Sequence, residues 1–279
     1  MSTRVTASTS DVQDYLDRIG FATGADFDAL EPSLGLLRAL HEAHLLAVPF
    51  ENLSIHYGQP IVLEEAALYD KIVHRHRGGF CYELNGLFAW LLHRLGFEVS
   101  LLSAGVARGD GSFNPDFDHL TLRVHHLEGT DWLADVGFGD AFRRPLLLQR
   151  DGPQDGGDGH LYRLRQDQDE GDGQQAGDEA THAYWVLEQY AEVRWSPQYR
   201  FTLQPRALAD FTARCEYQQT SPESHFTRQR ICSLALPCGR VSLSDRRLIT
   251  TIDGQREERV LQSEAEYRAV LAERFGVVV

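Results

Sequence analysis

The sequence predicts an α+β protein with a helical first third, a β-rich middle and a mixed C-terminal part. Two observations lead to this prediction. Apolar residues recur with the period of an amphipathic helix as far as residue 96, and alternating runs typical of strands dominate from Glu98 onward. Because a chain of 279 residues exceeds a typical single domain, we expect two or three packed units.

Three helices are predicted in the first hundred residues. The first covers about 10–19 and opens with a serine cap. The second covers about 34–47 and ends before Pro49, since a residue that precedes proline is driven out of the helical region. The third runs from about 81 to 95 and is ended by Gly96.

Strands are predicted by alternation and β-branched content in the rest of the chain. They cover 99–108, 119–126, 131–136, 184–189, 241–243, 248–251 and 256–260. Asp253-Gly254 separates the last two and is a strong hairpin signal. A final helix begins at Ser263, where Glu266 completes a capping box, and ends at Gly276.

Residues 151–181 differ in composition from the rest of the chain. They contain nine acidic side chains, two arginines and many glycines and glutamines. Such a segment buries too little apolar surface to offset the entropy cost of ordering it, so we expect a long mobile surface loop. The run His160–Leu164 is a candidate strand within it. A lid or an acidic partner tail is the less favoured alternative.

Charge and cysteine content exclude several classes of protein. A net charge of −14 opposes nonspecific binding to nucleic acid or to an anionic membrane. The N-terminus is polar and lacks the apolar region of a signal peptide, so we expect a cytoplasmic protein with reduced thiols. The four cysteines are dispersed without a Cys-x-x-Cys pair, which opposes a disulfide framework or a zinc knuckle.

Cys81 is the candidate nucleophile. It follows Gly78-Gly79, which let the backbone turn sharply, and it opens the third helix. The N–H groups and dipole at a helix N-terminus favour an anion, so we expect a lowered thiol pKa and a site for an oxyanion. The alternative is a buried structural cysteine. Cys215, Cys232 and Cys238 lack such a setting, and we assign them to packing.

A nucleophilic cysteine needs a histidine as base and a third group to orient that histidine. Twelve histidines are present, and spacing alone does not choose among them. His74 and His76 lie in a basic run that we expect to be solvated. His119 opens one predicted strand and Asp135 lies near the end of the next, so adjacent strands would place both on one face. Polar strand ends without a special role are the alternative.

Four ordered segments resemble the arylamine N-acetyltransferases. They are Val48–Leu53, Arg77–Asn85 (the sequence RGGFCYELN), His119 at the start of its strand, and Asp135–Gly139. Ser224–Thr227, with the following Arg230–Ser233, is also similar to that family. The resemblance extends from about residue 10 to the C-terminus.

The resemblance implies a fold and a division of the chain. It implies a helical bundle that carries the nucleophile over 1–96 and a β-barrel with the acidic loop over 97–205. A linking helix and an α/β lid would occupy 206–279. The catalytic core would resemble that of cysteine proteases, with the Cys-His-Asp triad at Cys81, His119 and Asp135.

The resemblance also implies the ligands and their contacts. The donor would be acetyl-CoA, no metal would be required, and the acceptors would be small aromatic amines or hydrazines. Glu51 and Arg77 would form a structural ion pair. Further binding residues would be Phe50 and Phe138 at the acceptor, and Gly137 and Gly139 where the cofactor approaches the backbone. Core packing is the alternative for the two phenylalanines. Arg143 and Arg144 are candidates for the coenzyme phosphates, with ordinary surface arginines as the alternative.

Two other functions are compatible with the same motifs. A thiol hydrolase or amidase would use the same triad without coenzyme A, and a dedicated amide synthase is a variant of that idea. A noncatalytic metal-binding or scaffold protein would use Cys81 and nearby histidines as ligands. The motifs do not decide the oligomeric state, and a homo-oligomer is compatible with them.

Overall fold

Five helices lie in the first third of the chain, among the residues 9–22, 30–150, 152–167, 183–191 and 193–279 that the computed structural model describes. These helices are α1 (Thr9–Arg18), α2 (Leu34–Ala47), α3 (Leu53–His56), α4 (Glu65–Tyr69), which continues as a π-helical turn (Asp70–His74), and α5 (Cys81–Arg94). A two-residue strand, β1 (Phe50–Glu51), lies between α2 and α3. The three predicted helices are therefore confirmed to within one or two residues.

The helices share one hydrophobic core around α5. Twelve of its fourteen residues are buried, and they pack against α1, α2 and the adjoining strands. The periodic residues of the other two helices point into the same core, and they are Val12, Tyr15, Leu16, Ile19, Leu34, Leu37 and Leu40. None of the helices within the described ranges is long and apolar enough to cross a bilayer.

The middle of the chain forms a nearly closed antiparallel barrel. Its strands are β2 (Val99–Val106), β3 (His119–Leu127), β4 (Thr130–Ala134), β5 (Leu146–Leu147), β6 (Gln154–Asp155), β7 (Leu161–Asp167), β8 (Tyr184–Ala191) and β9 (Arg194–Arg206), in the order β5-β4-β3-β2-β9-β8-β7-β6. The edges β5 and β6 are joined through a side chain: the Gln154 amide accepts from the Leu147 N–H (2.8 Å) and donates to its C=O (2.9 Å).

The predicted acidic loop is wrong over residues 152–167. This part contains β6 and β7, and Tyr162 and Leu164 of β7 alternate inward to join the barrel core. The candidate strand at His160–Leu164 is confirmed as part of β7. Asp151 and residues 168–181 lie outside the described residues. The average composition of 151–181 concealed an alternating apolar pattern at its centre.

The C-terminal part combines a second sheet with a helix. It contains a 3₁₀ turn (Leu208–Phe211), α6 (Thr212–Thr220), α7 (His225–Arg228), β10 (Ile231–Leu236), β11 (Gly239–Ser244), β12 (Arg247–Ile252), β13 (Gln255–Val260) and α8 (Glu264–Phe275). The sheet order is β1-β10-β11-β12-β13, and α8 packs on it through Tyr267 and Leu271. Thus β1, from the helical part of the sequence, forms the edge of the C-terminal sheet.

The hairpin turn, the serine cap and the terminal glycine predicted in this part are confirmed, but the capping box predicted at Glu266 is not formed. Asp253 and Gly254 have φ values of 49° and 77° and connect β12 to β13 as a two-residue hairpin turn. The Ser263 side chain caps α8 by accepting from the Glu266 N–H, and Gly276 ends the helix at φ 67°. The Glu266 carboxylate accepts from the N–H of Gln262 instead of that of Ser263.

Five strands were missed by the sequence interpretation, and they are β1, β5, β6, β9 and β10. β9 is 13 residues long but contains Pro197 and Pro205, which argue against a strand because proline donates no ladder hydrogen bond. Both prolines lie next to register shifts of the ladder, where the normal pairing is already interrupted. The irregular ladder therefore accommodates a sequence that would disrupt a regular one.

Two buried histidines on α2 make stability depend on pH. His41 and His44 are both 0% exposed. Burial lowers the pKa of His41 to about 4, and burial with the nearby Arg18 charge lowers the pKa of His44 well below its usual value. Both rings are therefore neutral in the folded protein, whereas in the unfolded chain they titrate near pH 6.5.

The free energy of unfolding should fall as the pH is lowered from 7.5 to 5.5. His41 and His44 take up protons over this range in the unfolded chain but stay neutral in the folded chain. Each histidine contributes about 1 kcal/mol to this fall. A His44→Phe variant should show a dependence shallower by about that amount in urea unfolding at the two pH values. His93→Phe, at an exposed position on α5, is the control and should retain the wild-type slope. Equal slopes for all three proteins would contradict the assignment.

Candidate active site

Cys81 is the first residue of α5 and is 4% exposed. The chain before it is held by close backbone approach. A Cβ on Gly78 would lie 1.9 Å from the Pro49 carbonyl oxygen, and one on Gly79 would lie 2.7 Å from Glu83. Neither glycine has a positive φ. The sharp turn expected from the two glycines therefore needs no positive φ, and what both positions require is the absence of a side chain, because neighbouring atoms pack too closely for a Cβ.

Burial dominates the protonation of the Cys81 thiol. Burial raises its pKa well above the usual range, and the Asp118 and Asp135 charges add to this, while the Leu120 N–H that donates to the sulfur opposes them. The expectation of a lowered pKa from the helix N-terminus is not met in this dry setting. The sulfur therefore requires an adjacent base in order to react as a thiolate.

His119 and Asp135 lie together on neighbouring strands. His119 is the first residue of β3, and Asp135 directly follows β4, which pairs with β3. Nε2 of His119 lies 2.6 Å from Oδ2 of Asp135, and both side chains are at most 3% exposed. Because the carboxylate occupies Nε2, Nδ1 is the ring nitrogen that remains for a proton transfer. Tyr199 and Phe138 pack on the imidazole with ring centroids 5.0 and 5.2 Å away.

The Asp135 carboxylate is held in its ionised form. Burial by itself would raise its pKa, but the His119 ring and hydrogen bonds from Asn85 (2.8 Å) and the Gly137 N–H (2.9 Å) outweigh burial and lower it. Oδ1 accepts from Asn85 and Gly137, and Oδ2 faces His119. An ionised carboxylate in this position orients the imidazole and favours its charged form.

Asn85 connects the nucleophile helix to the two strands. Its Nδ2 donates to Asp135 Oδ1 and to the Leu120 carbonyl (2.6 Å), and its Oδ1 accepts from the Val136 N–H (2.9 Å). The side chain is 0% exposed. Asn85 ends the RGGFCYELN segment, and the sequence predicted no role for it. The available signal was its spacing, because residue i+4 lies on the same helix face as Cys81.

His41 supports Asp135 from the opposite side. Its Nε2 accepts from the Asp135 N–H (3.0 Å), so the ring proton is on Nδ1, which donates to the Arg143 carbonyl (2.8 Å). The ring stacks on Phe142 with a centroid distance of 5.8 Å. No sequence pattern singled out His41, because its partners lie about a hundred residues away.

A buried cluster of two acids and two cations lies around the first turn of α5 and the segment that precedes it. Arg77 contacts Glu51 at 2.7 Å, and Lys71 contacts Glu83 at 2.7 Å and Glu51 at 4.0 Å. Burial opposes ionisation of both acids, but the Lys71 and Arg77 charges lower the pKa of Glu51. Burial prevails at Glu83 and raises its pKa. The structure thus pairs Arg77 with Glu51 and adds Lys71 and Glu83, which the sequence interpretation did not single out.

The two glycines of the Asp135 segment differ in their surroundings. A Cβ on Gly137 would lie 2.8 Å from Cys81 Cα and 2.7 Å from Asn85 Nδ2. Gly139 has φ 91° and faces the Phe50 ring. Gly137 is therefore required because the strand end packs directly against the nucleophile helix.

A cavity of about 480 Å³ opens onto Cys81 and His119. Phe50, Phe138 and Phe226 supply apolar walls, and Gly137 lies in the lining. Phe50 and Phe138 are both half-buried and line this cavity. One wall comes from α6 and α7, and the buried Asp118 carboxylate anchors α6 by accepting from Arg214 and Gln218. Phe226 of α7 reaches the Phe50 and Phe80 rings.

The assignment of Arg143 to coenzyme phosphates is corrected by the structure. Arg143 is 7% exposed, and its two terminal nitrogens donate to the carbonyls of Pro237 (2.8 Å) and Gly239 (2.6 Å). It therefore secures the turn between β10 and β11. Arg144 is exposed and pairs with Asp155 at 3.0 Å.

Cys238 was assigned to packing but is exposed, whereas Cys215 and Cys232 are buried.

Comparison with known proteins gives one consistent answer. The N-acetyltransferase family model matches residues 33–279. The arylamine N-acetyltransferase of Mycolicibacterium smegmatis is 35% identical over 275 residues, which cover 96% of this chain and 92% of the relative. Human arylamine N-acetyltransferase 1 is 32% identical, with 82% and 79% covered.

Solved structures agree in fold. The arylamine N-acetyltransferase of Salmonella typhimurium has a TM-score of 0.84 at 29% identity, with 97% of this chain and 92% of that chain covered. The Mycobacterium marinum arylamine N-acetyltransferase in complex with CoA has a TM-score of 0.80 at 32% identity, with 95% and 92% covered. The match spans nearly the whole chain in sequence and in structure, and the chain therefore belongs to the arylamine N-acetyltransferase family of acyltransferases.

Proposed function

We propose that the protein transfers an acetyl group from acetyl-CoA to the nitrogen of an arylamine or arylhydrazine, through an acetyl-Cys81 intermediate. The observation that carries the proposal is the buried His119–Asp135 pair, at 2.6 Å, on the cavity that also contains Cys81. Family membership and the CoA complex of the M. marinum relative support acetyl-CoA as the donor. No metal takes part in the proposed steps.

The first half-reaction forms the acyl-enzyme. Nδ1 of His119 takes the Cys81 proton, and the resulting thiolate is paired with an imidazolium that Asp135 stabilises. The sulfur attacks the thioester carbonyl, the bond to the coenzyme sulfur breaks, and His119 returns the proton to that leaving sulfur. A thioester replaces a thioester, so the acyl-enzyme and the donor differ little in free energy.

The second half-reaction transfers the acetyl group to nitrogen. The amine attacks the acetyl carbonyl, the bond to Cys81 breaks, and His119 carries the proton from nitrogen to the cysteine sulfur. An arylamine suits this step because its nitrogen is unprotonated at neutral pH, whereas an alkylamine is mostly an ammonium ion. The apolar walls at Phe50, Phe138 and Phe226 give an aromatic ring a complementary surface and shield the thioester from water.

The entrance of the cavity supplies positive charge for the donor. Arg108 and Arg228 are exposed and belong to its lining. They are the candidate partners of the coenzyme phosphates in place of Arg143, since an arginine can bind a phosphate in bidentate fashion. The net charge of −14 makes such a local group of cations more important for binding an anionic substrate.

Mixing the protein with acetyl-CoA and no amine should add the mass of one acetyl group, mapped to Cys81. Intact mass spectrometry and peptide mapping measure this, and Cys81→Ala should remain unmodified. Adding an arylamine should then remove the group and yield the N-acetyl product. Release of free acetate without amine would instead indicate the rival thiol hydrolase, and a protein that gains no mass and releases no coenzyme A would overturn the proposal.

Asn85→Ala should lower kcat/KM by about a hundredfold, because loss of its hydrogen bonds lets Asp135 and the start of α5 move apart. The rate of Cys81 acetylation should fall in parallel, measured by rapid quench and mass spectrometry. His93→Ala, an exposed substitution on the same helix, should leave both rates unchanged. Circular dichroism distinguishes a local effect from unfolding, and a fully active Asn85→Ala protein would refute the positioning role.

Gly137→Ala should reduce acetylation at least tenfold, since the added methyl group would meet the Cys81 backbone at 2.8 Å. Overpacking of this kind typically costs about 1–3 kcal/mol of stability, which thermal unfolding would detect. Gly109→Ala is the matched control because nothing lies within 4 Å of a Cβ there and its φ is not positive. If Gly137→Ala and Gly109→Ala have equal acetylation rates and unfolding temperatures, the segment after β4 accommodates the added methyl group and the prediction is wrong.

A further inference from the structure

Two consecutive histidines lie at the end of β3 remote from His119. In a regular strand, the side chains of His125 and His126 would point to opposite faces. The ladder between β3 and β4 is irregular between Val124 and Leu127, and His126 has φ 56°. This bulge places the two imidazoles side by side, with ring centroids 5.8 Å apart.

Glu98, which precedes β2, completes a compact set of donor atoms. One ligand atom each from Glu98, His125 and His126 lies within 4.8 Å of the other two. The backbone fixes this neighbourhood, because the His125 N–H donates to the Glu98 carbonyl at 2.9 Å. Ligands at about 2.1 Å from a tetrahedral zinc ion are about 3.4 Å apart. The Glu98 and His126 side chains are exposed, so rotation about their side-chain bonds can bring the ligand atoms from within 4.8 Å to that spacing.

Asp131 supplies a fourth donor atom, a carboxylate oxygen next to both imidazoles. Its Oδ1 lies 3.9 Å from Nδ1 of His125 and 4.0 Å from Nδ1 of His126, and it accepts from the His126 N–H at 3.1 Å. Its Oδ2 is held by Arg123. The carboxylate is therefore fixed beside both rings and available to an ion as a ligand or as an outer-shell acceptor.

Ser100 prepares one imidazole for coordination. Its Oγ lies 2.8 Å from Nε2 of His125. In the tautomer in which Nε2 donates to Ser100, the Nδ1 lone pair faces the other donors. A hydrogen bond from the noncoordinating ring nitrogen is the usual support of a metal-bound histidine.

We propose that Glu98, His125 and His126, with Asp131 beside them, form a binding site for a divalent transition-metal ion of the zinc type. Two imidazoles with carboxylates suit Zn²⁺, whereas Mg²⁺ and Ca²⁺ prefer an all-oxygen set. The ion would tie the start of β2 to the β3–β4 hairpin. His126 is seven residues along β3 from His119, about 23 Å at 3.3 Å per residue. The ion would therefore stabilise the barrel and take no part in the chemistry at Cys81.

Calorimetric titration of Zn²⁺ into the metal-stripped Cys81→Ser/Cys238→Ser protein tests the site without competition from the active-site and exposed thiols. One ion should bind with micromolar or tighter affinity. Glu98→Gln and His126→Asn should each weaken binding at least tenfold. Asparagine tolerates the positive φ, so the second variant should keep the fold. The matched control His93→Ala, with an exposed histidine elsewhere, should bind as the parent does.

Thermal unfolding gives a second readout. Zn²⁺ should raise the unfolding midpoint of the parent and of His93→Ala but not that of His126→Asn, because an ion that binds only the folded state stabilises it. Without zinc, His126→Asn in the otherwise wild-type chain should acetylate arylamines at the wild-type rate. Zinc binding that is unchanged in Glu98→Gln and His126→Asn, or absent from the parent at micromolar concentrations, would overturn the proposal.

Discussion

The structure of the site depends on the hydrogen bonds of one buried amide. Asn85 lies one helical turn after Cys81, and its three hydrogen bonds reach the Leu120 carbonyl, the Asp135 carboxylate and the Val136 N–H. These groups belong to β3 and to the segment that follows β4. The amide therefore sets the distance between the helix that carries the thiol and the strands that carry the imidazole and the carboxylate. Close contact between Gly137 and the Cys81 backbone fixes the same distance sterically.

The exclusion of water from the site disfavours the Cys81 thiolate but strengthens the contact between Asp135 and His119. Burial raises the pKa of Cys81. The thiol therefore depends on the imidazole to become a nucleophile, and the imidazole depends on the carboxylate to hold the proton. A resting thiol that is protonated until its partner is aligned is also protected from oxidation, because the thiolate is the reactive form.

The buried charges around the start of α5 form ion pairs. Lys71 and Arg77 neutralise Glu51 and Glu83, and Glu83 accepts from the Phe80 N–H at the start of α5 (3.2 Å). Removing one partner would leave an uncompensated buried charge, which costs more than the pair contributes. This cluster also joins β1 to the helices, and β1 pairs with β10. The C-terminal sheet is thereby connected to the loop that presents the nucleophile.

The sequence by itself determined what local interactions decide. The periods of α1, α2 and α5, the cap at Ser263 and the turn at Asp253-Gly254 depend on neighbours within a few residues, and each was predicted. The resemblance selected His119 and Asp135 from twelve histidines and many acids, and the structure places the two side chains in contact.

Tertiary structure alone decided the roles that depend on distant partners. Arg143 donates to carbonyls that lie nearly a hundred residues away in the sequence, and His41 accepts from the Asp135 N–H at a similar sequence distance. β9 forms despite two prolines because its hydrogen-bond ladder is irregular next to them. His125 and His126 share one face only because a bulge overrides the alternation of the strand. Such contacts leave no periodic trace in the sequence, since packing between distant segments, and not local preference, sets their geometry.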